Sequence, residues 1–172
     1  MASLMEELID ALEKENDAYE KLIKLSLEKT PVIISADLDA LARITDEEQL
    51  VVGEISRIDK KRVANMKDIA NVINKDVDSL KLTDLIAMLK GRPSEQNKLA
   101  EIHDKLSDTI SQMKRVNEQN KQLLESSLEM IQFDMNVLQA YKAAPETANY
   151  DSTAYNAGTY IGNNRGAFDA KQ

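Results

Sequence analysis

Between Leu124 and Tyr141 the apolar residues fall on two faces of a helix instead of one. A helix turns about 100° per residue, which places Leu124, Leu128, Ile131, Met135 and Leu138 in one row. Met130, Phe133, Val137 and Tyr141 make a second row, roughly 140° around the same helix. Glu125, Glu129, Gln132, Asn136 and Gln139 fill one gap between the rows, and Ser127 and Asp134 the other. A helix that only covers the core of its own domain needs a single apolar face. Two rows imply two partners, one of which is open to being another chain.

The same periodicity organises the rest of the chain. Leu4, Leu8, Ala11, Ala18, Leu22 and Leu25, widened by Met5, Leu12 and Tyr19, predict a first helix from about Ser3 to Lys29. Ser3 followed by Glu6 reads as a capping box. Pro31 disfavours helical geometry at Thr30 and is expected to end or kink the helix there. Asp37 is a good N-cap for a second helix that runs to about Asn74. Its seam is Leu41, Ile44, Val51, Ile55, Ile58, Ile69 and Val72, interrupted by Glu48, Arg62 and Asn65. Residues 75–93 hold a turn and a short helix capped by Thr83 and running through Leu89, stopped by Gly91-Arg92-Pro93. Ser94 opens the third long helix, with a seam of Leu99, Ile102, Leu106, Ile110, Met113, Val116 and Leu123. The expected fold is all-α: an elongated three-helix antiparallel bundle or coiled coil with a short extra helix in the 75–93 connection.

Helix lengths add a geometric expectation. At 1.5 Å per residue the third helix spans about 70 Å, the second about 55 Å and the first about 40 Å. In an up-down-up arrangement the second helix stops supporting the third near Ile131. Both rows from Ile131 to Tyr141 would then be uncovered, and an exposed apolar row marks an interaction site.

Composition narrows the function classes. The 172 residues fit one domain, and 5 Gly, 3 Pro, 2 Phe and no Trp favour helix over sheet. A net charge of -8 argues against a phosphate-binding face, so neither nucleic acid nor an anionic membrane is an expected partner. The longest apolar run, Val32-Ile33-Ile34, is too short to span a bilayer. Met1-Ala-Ser-Leu-Met-Glu-Glu is acidic where a secretory signal is basic, and there is no cysteine. The expected location is the cytoplasm.

Chemistry-bearing constellations are missing from the pattern. His103 is the lone histidine, flanked by Ile102 and Leu106, and the residue three before it is Ala100. A di-iron bundle needs paired Glu-x-x-His motifs, so neither a metal nor a cofactor is expected. Glu6-Glu7, Glu47-Glu48 and Asp76/Asp78 read as solvated carboxylates. No Gly-rich phosphate loop or nucleophile elbow occurs, and an enzyme is not expected.

Beyond Lys142 the periodicity stops. Residues 143–172 are rich in Asn, Ala, Gly, Thr and Tyr with almost no aliphatics, and are expected to be a disordered tail appended to a helical domain at 1–142. Tyr150, Tyr155 and Tyr160 recur every five residues, with Phe168 near the end. Spaced aromatics fit a short docking motif; a tail that merely tolerates tyrosine is the other reading.

Asn117 and Asn120 lie on or beside the seam of the third helix, where an amide costs stability but fixes register. The run Asn117-Glu-Gln-Asn120-Lys-Gln-Leu123-Leu124-Glu-Ser-Ser-Leu128 resembles the N-x-x-N-x-x-L-L-x-x-S-L pattern of the FlgN family of flagellar export chaperones. Ala36-Asp-Leu-Asp-Ala-Leu41 followed by Thr45-Asp-Glu-Glu-Gln49 looks like that family's opening of helix 2, and the resemblance covers roughly residues 4–141. It implies a cytoplasmic chaperone that is not an ATPase. Such a chaperone holds the hook–filament junction proteins (FlgK and FlgL) unpolymerised and delivers them to the type III export gate. The cargo would be an amphipathic terminal helix, received by helix-in-groove recognition. The rows Leu124, Leu128, Ile131, Met135, Leu138 and Met130, Phe133, Val137, Tyr141 are the candidate cargo site. The tail tyrosines are the candidate contact to the export gate. A structural coiled-coil homo-oligomer and a regulatory bundle sequestering a signalling or transcription partner stay open, as do monomer and homodimer.

Overall fold

The structure, a computed structural model, describes residues 2–143, and among them there is helix and turn but no strand. Four α-helices follow in order: α1 (Ala2–Ser35), α2 (Leu38–Ile73), α3 (Leu82–Met88) and α4 (Pro93–Ala143), with a 3-10 turn at Leu89–Gly91. The chain divides into two compact units, Met1–Met130 and Ile131–Gln172. Among the described residues no helix is long and apolar enough to cross a membrane.

Within the first unit α1 supplies the middle of the core. Met5, Leu8 and Leu12 are fully buried and meet Met66, Ile69 and Ala70 of α2 and Leu99, Ile102 and Leu106 of α4. Leu80, Leu85 and Leu89 close this cluster from the connection, so the 75–93 segment is built into the core. Further along, Ala18 and Leu22 pack on Ile55, with Tyr19, Val51, Ile58 and Met113 around them. Early residues of α1 therefore meet late residues of α2, and the two run antiparallel. Asn16 pairs with Thr109 and Ser26 with Asn120, so α1 and α4 run in the same direction.

Three local expectations are corrected. Pro31 lies inside α1, which continues to Ser35. A proline there removes the N–H that would reach the Leu27 carbonyl, but burial of Ile33 and a hydrogen bond from Thr30 Oγ1 to Asn120 Oδ1 hold the last turns helical. Ser3 is within α1 and donates to Glu7 Oε1 at 3.4 Å, so no capping box with Glu6 forms. The short helix starts one residue before Thr83: the Asp84 carboxylate accepts the Lys81 backbone N–H at 3.0 Å, which makes Lys81 the cap position.

Other boundaries follow their sequence signals. Ala36 takes the left-handed region (φ 54°) and its N–H, with that of Asp37, closes on the Ile33 and Val32 carbonyls. Asp37 Oδ1 then accepts the Ala40 N–H at 2.9 Å and caps α2. Asn74, at φ 54°, ends α2; asparagine tolerates this conformation better than most residues. Pro93 is the first residue of α4, where its missing N–H has no helical partner to lose.

Candidate partner-binding site

Burial along α4 changes abruptly. Leu99, Ile102, Leu106, Thr109, Val116 and Asn120 are buried. Leu123, Leu124 and Ser127 are half-buried, and every residue from Leu128 to Ala143 is exposed. Exposure reaches 66% at Leu128, 67% at Phe133 and 81% at Tyr141. Met130, Ile131, Met135, Val137 and Leu138 are exposed as well, so from Leu128 on both rows of apolar side chains are exposed. The uncovered stretch opens at Leu128, earlier than the expected Ile131. Leu124 alone of the candidate set is partly tucked in.

At the point where burial ends, a polar layer joins α1 to α4. Asn120 is only 4% exposed. Its Nδ2 donates to the Ser26 carbonyl at 2.6 Å, and its Oδ1 accepts from Thr30 Oγ1 at 2.7 Å. Ser26 Oγ lies 3.1 Å from both Glu48 Oε1 and Asn117 Oδ1, and its one proton serves one of them at a time. Lys29 pairs with the same Glu48. Beside this layer a cleft of about 380 Å³ is lined by Leu22, Lys29, Glu48, Val52, Leu124 and Leu128 among others. The layer and the apolar row thus meet at Leu124.

Two turns and more toward the start of α1 lies a second polar layer. Thr109 Oγ1 donates to the buried Asn16 Oδ1 at 2.8 Å, and Asn16 Nδ2 donates to Glu20 Oε1 at 2.9 Å. Glu15, buried, sits 3.0 Å from Arg62 Nε in an ion pair whose angles fall short of a hydrogen bond. Burial pushes the Glu15 carboxyl above its ordinary range while Arg62 pulls the other way. Tyr19, beside them, is raised by burial and by the Glu15 charge. Glu20 is held low by Asn16 and Lys105. The seam interruptions Glu48 and Arg62 are therefore α2's contributions to these layers.

The sequence pattern singled out Asn117 and Asn120 but not Ser26 and Thr30 as their partners, nor Lys29 as the partner of Glu48. The available signal was Ser26 and Thr30, a four-residue pair of small polar side chains continuing the Leu22 row where an apolar residue would be normal. His103 is half-buried with Nδ1 3.0 Å from Asp104 Oδ1. Among the described residues no cluster of three or more His, Cys, Asp or Glu is placed to hold a metal. Tyr150, Tyr155, Tyr160 and Phe168 lie outside the described residues.

An amphipathic helix can be received along an exposed apolar row by helix-in-groove contact. The family model described as FlgN protein matches residues 1–157, and the chain belongs to the FlgN family of flagellar export chaperones. The match extends past residue 142, into the segment expected to be a separate tail. The chain is also similar to the Bacillus subtilis (strain 168) protein YvyG, described as uncharacterized. The two are 26% identical over 131 residues, covering 76% of this chain and 78% of that one. No solved structure gives a significant match.

Proposed function

We propose that this chain is a cytoplasmic chaperone for the hook–filament junction proteins (FlgK and FlgL), holding their amphipathic terminal helices on the distal part of α4. The carrying observation is the run of exposed apolar side chains from Leu128 to Tyr141 on a member of this family. An apolar row this long on a helix is costly to leave in water, because each fully buried Leu, Ile, Phe or Met gains about 1.5–3 kcal/mol. A partner helix that lays its own row there recovers that energy and is itself kept from self-association. Met130 and Met135 are unbranched and adapt to more than one cargo. The three long helices serve as an antiparallel bundle that fixes the start of this face. The 1–142 body does the holding, and the 143–172 tail, through Tyr150, Tyr155, Tyr160 and Phe168, serves the export gate.

The test is co-elution of the purified chain with a purified junction protein on a sizing column. A stable complex that also suppresses self-assembly of the junction protein is expected. Separate elution with undiminished self-assembly would reject the proposal.

A further inference from the structure

The charges that border the first apolar row specify what can lie against it. Leu124, Leu128, Ile131, Met135 and Leu138 alternate at four- and three-residue spacings, the pattern of a coiled-coil seam. The positions flanking such a seam set partner choice through interhelical ion pairs. From Gln122 to Tyr141 the charged side chains are Glu125, Glu129 and Asp134, with no lysine, arginine or histidine. Glu125 and Glu129 lie in the gap on one side of the row, and Asp134 on the other. All three are exposed and make no ion pair with any described residue. Some carboxylates elsewhere are ion-paired, as in Lys14–Asp10, Lys29–Glu48, Arg62–Glu15 and Lys105–Glu20.

A second copy of this chain is the wrong occupant. In either orientation it would bring the same three carboxylates to the edges of the seam, with Lys121 and Lys142 only beyond its two ends, and like charges across a seam are destabilising. An acidic helix is wrong for the same reason.

We propose that the occupant of this row is an amphipathic helix with lysine or arginine bordering its own apolar stripe, so that selection among apolar helices is electrostatic. This rests on the reading of the row as a docking face and adds the chemistry of the partner. Apolar burial supplies adhesion, which is non-directional. The carboxylates supply discrimination, by attracting cationic flanks and repelling anionic ones.

The experiment uses the full chain and two synthetic helical peptides of about 20 residues, long enough to cover the row at 1.5 Å per residue. Both carry the same Leu/Ile seam; one has lysine and the other glutamate at every flanking position. Binding is read by fluorescence anisotropy. At about 10 mM salt, where screening is weak, the lysine peptide should bind at least about tenfold tighter, the combined size of a few exposed ion pairs. The gap should close at about 1 M salt. In a Glu125→Gln, Glu129→Gln, Asp134→Gln variant the preference should vanish while the melting curve is unchanged. A second variant, Ile131→Ser, Met135→Ser, Leu138→Ser, separates the two layers of the argument. Equal binding of both peptides, lost in the serine variant, overturns the charge inference and keeps the docking face. Lysine-peptide binding that survives in the serine variant is nonspecific attraction to an acidic protein, and overturns the inference too. If neither peptide binds the unaltered chain, the docking face fails and the inference with it.

Discussion

Asn120 donates its side-chain amide to the Ser26 backbone carbonyl at 2.6 Å, joining two residues 94 positions apart in the sequence. The same amide oxygen accepts from Thr30, so one buried side chain holds two points of α1. It sits at the last buried position of α4, about two turns before the apolar row becomes exposed at Leu128. A polar residue at a seam position sets register at some cost in stability. Asn120 thereby ties the register of α4 to that of α1.

Asn120→Ala removes both bonds and leaves Thr30 Oγ1 with its weaker contact to the Ser26 carbonyl at 3.3 Å. Truncating a buried hydrogen-bonded group costs about 1–3 kcal/mol. Urea unfolding should show a loss in that range. No change would mean that the layer is not formed in solution.

The distal row and the core differ in what mutation does to them. Changing Ile131, Met135 and Leu138 together to Ser should shift Tm by less than about 2 °C, since exposed side chains contribute little to folding. The same variant should lose binding to the terminal helices of FlgK or FlgL. By contrast, Leu99→Ala, at a side chain with no exposure, should cost about 2–5 kcal/mol. Calorimetric melting of the two variants checks the contrast directly.

Glu15 gives the stability a pH dependence of definite sign. Its folded pKa is raised above the ordinary 4.5, mainly by burial, so the folded state holds the proton more tightly than the unfolded chain. A group of this kind adds stability as pH falls through its raised folded pKa, fully below 4.5, and loses it as pH rises. In Glu15→Gln this contribution is absent. The difference in stability between wild type and Glu15→Gln, measured in urea from pH 7 down to about 4.5, should therefore move in favour of wild type. A difference that stays flat, or moves the other way, contradicts the assignment.

Pro31 breaks the hydrogen-bond ladder of α1 without ending the helix. Pro31→Ala restores a donor for the Leu27 carbonyl and should raise stability by about 1–3 kcal/mol, part of the usual cost of an interior proline. Denaturant midpoints at constant m-value check this.

Helices were legible in the sequence because their apolar spacing is long and regular, and Asp37 and Asn74 mark their ends with specific backbone chemistry. The end of α1 was not. The local preference against helix at Thr30 is real, but the burial of Ile33 and the bond from Thr30 to Asn120, 90 positions away, outweigh it. The cap of α3 was misplaced because Thr83 and Asp84 are adjacent, and the carboxylate acts from the third helical position back onto Lys81. The two apolar rows could be read from periodicity, and their exposure from helix lengths to within three residues, at Ile131 against Leu128. Their partners in the polar layer could not, since pairing Ser26 with Asn120 requires the relative register of α1 and α4.

A cargo helix lying on the distal face of α4 would leave its footprint in amide hydrogen exchange. The full chain is followed with and without a peptide of a FlgK or FlgL terminal helix. Exposed helix that gains a packed partner exchanges more slowly. New protection concentrated between Leu124 and Tyr141 is expected, with α2 and α3 unchanged. Protection confined to other helices, or saturating peptide with no protection in this stretch, would contradict it.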